Sequence, residues 1–280
     1  MRRRKSQTRG APLLQRGASI LGALEGKFRR VPFRTNVARE TGSGTGGSWV
    51  GEGLSTPVAA TAYGTLIQEA YKAQVIVVLS NELLRLGDPA SERTVRQTVT
   101  AGVTAYLDAQ ALTNTVTLVA NTRPAAITNG ATAVTSTGTT SAQINADLAG
   151  LLAAVTTPGP LVWVMRPATA YRIAATVGGT AAVNVPLSLF GIPLVLSANS
   201  PAQVTLLDPS AILYSDDGRI DIESTDQAAL QMDGAPTDPA VAATVFQSLW
   251  QNNLWALKVT RWIAYLRAQT GSVAYMTVSY

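Results

Sequence analysis

Residues 42–53 read "GSGTGGSWVGEG", and Gly42, Gly44 and Gly47 spell a literal G-x-G-x-x-G. That spacing is the fingerprint of a dinucleotide-binding loop, in which a buried strand runs into a helix whose N-terminal amides meet a pyrophosphate. Neither flank fits. Upstream, "VPFRTNVARE" alternates apolar and polar residues (Val31, Phe33, Val37), the pattern of a partly exposed strand, whereas a strand covered on both faces reads as a continuous apolar run. Downstream, Gly51, Gly53 and Pro57 break helix where a helix has to begin. The sequence holds no G-x-x-x-x-G-K-[ST] either. The stretch therefore reads as a glycine-rich loop inside an extended arm, with a nucleotide-binding enzyme using the Gly42–Gly47 loop as the weaker alternative.

Working outward, residues 1–39 carry eleven basic side chains against Glu25 alone, a local charge of +10, while residues 40–280 carry −5. The chain is an acidic body with a basic arm, Arg2, Arg3, Arg4, Lys5 and Arg9 forming its outermost cluster. Such an arm contacts nucleic acid, an acidic partner or an anionic surface; a solubilising tail is the plain alternative. Only a short helix is expected around Leu13, Leu14, Ile20, Leu21 and Leu24, and the arm is expected to be mobile when free.

The 280 residues contain no Cys and no His. Thiolate and imidazole catalysis, disulfides and zinc clusters are thereby excluded, and with them most hydrolase mechanisms. Carboxylates are scattered singly except for Asp216-Asp217. That pair precedes Gly218 between "AILYS" and "RIDIES", and a D-D-G hairpin turn accounts for it without a metal. No cofactor is expected. Apolar residues make up 46% of the chain, yet no run approaches the roughly 20 that a membrane-spanning helix needs. The N-terminus has no apolar signal-peptide core, so the expectation is a soluble protein not marked for export or insertion.

The region 31–80 reads as extended: a strand near 31–39, the glycine-rich tip, then "AYKAQVIVVLS", rich in β-branched residues. A helix is predicted from Pro89 to Thr113, with Asp88 as cap and Val95, Val99, Val103, Tyr106 and Gln110 along one face. "ITNGATAVTSTGTTS" reads as loop, and Ser141 opens a second helix with Ile144, Leu148, Leu151, Leu152 and Val155 on one face. Strand "LVWVM", helix "PATAYRIAAT" and strands "GIPLVLS" and "QVTLLD" follow, and alternation across Trp255, Leu257, Val259 and Ile263 marks a closing sheet. The fold class is α+β.

The order of these parts resembles the major capsid proteins of tailed bacteriophages with the HK97 fold. Four places carry the resemblance: "GSWVGEG" up to Gly53, like the family's extended-loop motif; "VIVVLSNELL" (75–84), like its strand-to-helix entry; "LFGIPLVLS" (189–197), like its apolar-Gly-x-Pro-Val signature; and "FQSLWQNNLWALKVTRWIAYLR" (246–267), like its closing sheet.

The resemblance implies a basic N-terminal arm (1–39), an extended loop and return strand (40–80), a peripheral domain with a long spine helix (81–120), an axial domain (121–235) and the closing sheet of the peripheral domain (236–280). It implies a non-enzymatic subunit that assembles as pentamers and hexamers into an icosahedral shell around double-stranded DNA. Such a subunit is made in the host cytoplasm, ends up in the virion, and works with scaffold and portal proteins but no membrane. Gly46, Gly47, Trp49 and Glu52 would form the subunit-contact loop, with Trp49 as anchor. Arg2, Arg3, Arg4, Lys5 and Arg9 would face the DNA. An encapsulin-like nanocompartment shell is the alternative with the same fold, and the basic arm favours nucleic acid.

Two departures stand out. Members with a self-encoded scaffold carry a long charged coiled coil before the arm, where this chain has about thirty residues, so a separate scaffold or a processed form is expected. Cross-linked members join a loop lysine to a neighbour's asparagine; the loop here has no lysine before Lys72, and Asn252 and Asn253 read as sheet-edge polar residues.

Overall fold

The structure is a computed structural model that describes residues 19–41, 47–58, 62–82, 89–177 and 188–279. Two sheets organise it. In the first, β14 (Leu254–Arg267) is the central strand. Along one edge it pairs antiparallel with β4 (Tyr71–Ser80), in register from Leu254↔Ser80 to Ile263↔Tyr71. Its other edge carries β10 (Ile212–Asp216), from Ile212↔Arg267 to Asp216↔Ile263, and β11 (Asp221–Thr225), from Asp221↔Thr260 to Thr225↔Ala256. The two strands lie end to end, both antiparallel to β14. The hairpin expected at Asp216–Gly218 is therefore absent: fourteen residues of β14 offer enough edge to take both strands in succession, so they pair with it rather than with each other. The turn itself stands, with Gly218 at φ 67° and its amide donating to Asp216 Oδ1 at 2.9 Å.

The second sheet has six strands in the order β5 (Thr132–Ala133), β15 (Val273–Thr277), β9 (Gln203–Leu207), β6 (Val162–Met165), β8 (Ile192–Leu196) and β7 (Ser188–Leu189). Every residue of β6 and β9 is buried. The uninterrupted apolar sequence of β6 suits a strand covered on both faces, while in β9 the buried Gln203 Nε2 donates to the Leu112 carbonyl at 2.8 Å and to Thr205 Oγ1 at 3.0 Å. Trp163, Met165 and Leu206 face the helices α3 (Ser141–Ala154) and α4 (Pro167–Val177), in a core with Ile144, Leu148, Leu151 and Ile173. Val162, Val164 and Leu207 face the other way, into the core of the first sheet. The closing stretch 236–280 is thus divided, β14 serving the first sheet and β15 the second.

Helix α3 begins as its sequence dictates: Thr140 and Gln143 make a reciprocal capping box. Before it, "ITNGATAVTSTGTTS" is more than a loop, since Thr132–Ala133 forms β5. Buried Asp147 accepts from Ser136 Oγ at 3.0 Å and Thr137 Oγ1 at 2.7 Å, which fixes the segment leading into the helix. The "LFGIP" motif is a two-residue hairpin. Phe190 (φ 54°) and Gly191 (φ 76°) both have positive φ between β7 and β8, which pair at Leu189↔Ile192, the backbone of a type I′ turn.

The long helix α2 spans Pro89–Leu112, about 36 Å at 1.5 Å per residue. It packs on the first sheet through Val99, Val103, Leu107, Ala111 and Leu112, in one core with Leu257 and Val259. The expected face holds at Val99 and Val103 and then departs. Leu107 is buried at 6% exposure, whereas Tyr106 is 58% exposed, because the stripe continues at four-residue steps and carries Tyr106 off the sheet.

Candidate assembly surfaces

The most extended feature is a two-stranded ribbon. β2 (Thr35–Glu40) and β3 (Tyr63–Gln68) pair antiparallel from Thr35↔Gln68 to Glu40↔Tyr63, and the Thr41 amide continues the ladder to the Ala62 carbonyl at 2.8 Å. At the tip, residues 47–58 are all exposed. Trp49 has 105% exposure and Val58 95%, with Leu54 also standing out. The local path is turned by Gly53 (φ 78°) and by the Leu54 amide donating to the Gly51 carbonyl at 3.1 Å. Of the expected contact residues, Gly47, Trp49 and Glu52 lie on this exposed tip. Gly46, with Gly42 and Gly44, lies outside the described residues, so the G-x-G-x-x-G itself is not on view. Downstream of it, residues 54–58 form no helix.

The basic cluster Arg2, Arg3, Arg4, Lys5 and Arg9 also lies outside the described residues. The inner half of the arm, expected to be mobile, is built into the core. Ser19 caps α1 (Ile20–Leu24), and Ile20, Leu21, Leu24 and Phe28 are buried against α2 and the first sheet. β1 (Arg29–Arg30) then pairs parallel with β10, while the Phe28 ring stacks on Tyr214 with centroids 5.2 Å apart. Asp108 on α2 anchors the segment. It is fully buried and accepts from Ser19 Oγ (2.9 Å), Ile20 N (2.9 Å) and Leu21 N (3.2 Å). Burial raises its carboxyl above the ordinary aspartate value, and the bonds from Ile20, Leu21, Ser19 and Asn199 work against that rise.

Asp216 and Asp217 do not act as a pair. Asp217 is exposed, while Asp216 accepts from Arg261 Nη2 at 2.6 Å and from the Tyr214 hydroxyl at 3.0 Å. Burial disfavours the Arg261 charge, but the hydrogen bond and negative charge of Asp216 outweigh it, so the guanidinium is held above its usual value. Among the described residues no group of three or more Asp or Glu is placed to hold a metal ion, and no helix is long and apolar enough to cross a membrane. Asn252 and Asn253 sit in the turn entering β14 rather than on a strand edge. Asn253 (φ 53°) receives a hydrogen bond from Asn81 Nδ2 at 3.1 Å, and Asn252 Nδ2 donates to the Ser248 carbonyl at 2.7 Å.

A second exposed feature escaped the sequence reading. Between β11 and β14, the short strands β12 (Ala229–Leu230) and β13 (Gln247–Ser248) pair antiparallel. Around them Met232, Val241, Val245, Phe246 and Trp250 are all exposed. The signal was present as five apolar side chains flanking the Pro- and Asp-containing segment "DGAPTDP" (233–239).

No protein-family model matches the chain. A solved structure from Gordonia phage Cozz superimposes with a TM-score of 0.65 at 15% identity, covering 92% of this chain and 86% of that one. One from Mycobacterium phage Adephagia gives 0.64 at 16%, covering 91% and 89%. The capsid of an empty GTA particle gives 0.59 at 11%, covering 100% and 95%. The fold is that of the HK97-type phage capsid proteins. In sequence, the chain is 33% identical over 265 residues to the capsid polyprotein of Pseudomonas phage PAJU2, an alignment taking in 89% of this chain. It spans 40% of that polyprotein's length.

Proposed function

We propose that this chain is a structural capsid subunit and not an enzyme, assembling with copies of itself into the shell of a phage particle. The observation that carries the reading is the ribbon β2–β3. Its tip presents Trp49, Leu54 and Val58 to solvent with no covering partner among the described residues, an arrangement suited to lying across an adjacent subunit. The relative in Pseudomonas phage PAJU2, a capsid polyprotein, supports a phage shell over an encapsulin-like compartment.

In finer terms, Gly46, Gly47, Trp49 and Glu52 form the contact loop. Residues 1–39 serve as the basic arm, 40–80 as the extended loop and return strand, and 81–120 as the peripheral domain with its spine helix. Residues 121–235 serve as the axial domain apart from β10 and β11, which pair with β14, and 236–280 as the closing sheet of the peripheral domain apart from β15, which pairs with β9. The subunits form pentamers and hexamers of an icosahedral virion shell, assembled in the host cytoplasm with scaffold and portal proteins. Arg2, Arg3, Arg4, Lys5 and Arg9 face packaged double-stranded DNA, neutralising phosphates without reading sequence.

Negative-stain microscopy and sedimentation of the expressed chain test the reading. Closed particles or capsomers are expected; a chain that stays monomeric at high concentration and low salt, alone and with its scaffold, would overturn it.

A further inference from the structure

Residues 217–248 contain no buried residue. The outer part of this strip nevertheless has a defined path: β12 pairs with β13, Gln231 exchanges two hydrogen bonds with the Thr237 backbone (2.8 and 3.0 Å), and the Leu249 amide reaches the Ala228 carbonyl at 2.9 Å. Ordering a segment costs conformational entropy that burial normally offsets, and within this chain the strip buries almost nothing. It exposes apolar side chains instead, Val245 at 81% and Trp250 at 75%. Exposed apolar side chains gathered along one ordered strip of chain mark an interaction site.

Its charge says what covers it. From residue 220 to 257 the chain holds five acidic residues (Asp221, Glu223, Asp226, Asp233 and Asp238) and no basic one. Nucleic acid is excluded by repulsion, and so is the same strip of another copy meeting it face to face. From residue 26 to 39 the same chain holds five basic residues (Lys27, Arg29, Arg30, Arg34 and Arg39) and no acidic one. Within the chain the two stretches do not neutralise each other. Arg30 pairs with Glu25, Glu223 pairs with Lys258, and among the described residues Asp233, Asp238, Lys27, Arg29 and Arg34 make no ion pair.

We infer that the strip 226–250 is a second assembly contact, occupied by the basic stretch 27–39 at the root of the ribbon of another copy of this chain. The contact joins two different surfaces, which generates rings when the rotation closes. It rests on the shell reading and adds to it a specific pair of surfaces.

The test uses charge exchange in the full chain. Asp233→Lys with Asp238→Lys, or Lys27→Glu with Arg34→Glu, should each reduce assembly at low salt by about tenfold, and the four changes together should restore most of it. Circular dichroism of the unassembled variants checks that they fold. Because the chain has no cysteine, Arg34→Cys combined with Asp238→Cys provides a second measurement on otherwise unchanged surfaces. Oxidation of assembled particles should give a ladder of linked subunits on a non-reducing gel. Charge variants that assemble like the wild type, a fourfold variant no better than either pair, or particles that yield only monomer after oxidation would each overturn the contact while leaving the shell reading intact. A wild-type chain that never oligomerises would sink both.

Discussion

Ser19 and Asp108 stand 89 positions apart in sequence, and their side chains meet at 2.9 Å in the interior. The bond ties the arm to the middle of the long helix and sets the first expectation. Asp108→Ala leaves Ser19 Oγ and the amides of Ile20 and Leu21 without their acceptor. The loss should be about 3 kcal/mol, read by urea denaturation of the unassembled chain, with earlier protease cleavage in residues 19–30.

The same carboxylate gives stability a pH dependence of defined sign. Its folded-state pKa is raised by burial, so its contribution is fully present below the unfolded value of about 3.9 and is lost as pH rises through the raised value. Melting temperatures of the wild type relative to Asp108→Asn should fall across that window. A relative rise would show that the hydrogen bonds, not burial, dominate.

Adjacent residues on α2 should respond oppositely. Leu107→Ala opens a cavity between the helix and the first sheet and should cost about 2–4 kcal/mol. Tyr106→Ala, at an exposed position, should change folding stability by less than about 0.5 kcal/mol. Equal losses in chemical denaturation would mean that the helix faces the sheet differently.

Arg261 and Asp216 form a buried pair, with side-chain exposures of 17% and 2%. Removing one partner strands the other, so Arg261→Ala should destabilise by about 3 kcal/mol. Arg261→Met combined with Asp216→Leu should recover much of that. If the double variant were as weak as the single one, the Tyr214 hydroxyl and Gly218 amide, which also bond Asp216, would be the contacts that matter.

Trp49→Ala separates assembly from folding. The side chain touches nothing that holds the isolated subunit together, so the monomer's melting temperature should stay within about 1 °C. Particles should dissociate at lower temperature, by light scattering during a thermal ramp. Unchanged particle melting would remove Trp49 from the contact.

Local signals carried the sequence reading far. The start at Pro89 and the four-residue spacing before Val103 located the long helix to within a residue of its end, the expected cap Asp88 lying outside the described residues, and an unbroken apolar run located the buried strand 162–165. Where two choices satisfied the same local rule, the tertiary partner decided. Tyr106 and Leu107 both follow Val103 at helical spacing, and only the sheet beneath chooses Leu107. D-D-G between two alternating segments is a hairpin by local rules, and only the length of β14 lays the strands end to end. The docking of Ile20 and Leu24 hung on a buried acid far along the chain, invisible to any window. Nor does sequence periodicity say which exposed apolar residues form a contact, since Trp49 and Trp250 differ from Trp163 only in what the fold leaves uncovered.

Strand β15 closes against β9, and the residues between them in sequence, 208–272, hold β10, β11 and β14 of the first sheet together with the separate pair β12–β13. The six-stranded sheet therefore cannot be completed until that long excursion has returned. During synthesis Leu206 and Val204 must wait, with one edge of their strand unpaired, until Val273–Thr277 leaves the ribosome. Pairing across so wide a separation slows folding, and it makes the two halves of the subunit acquire their final form together rather than in turn.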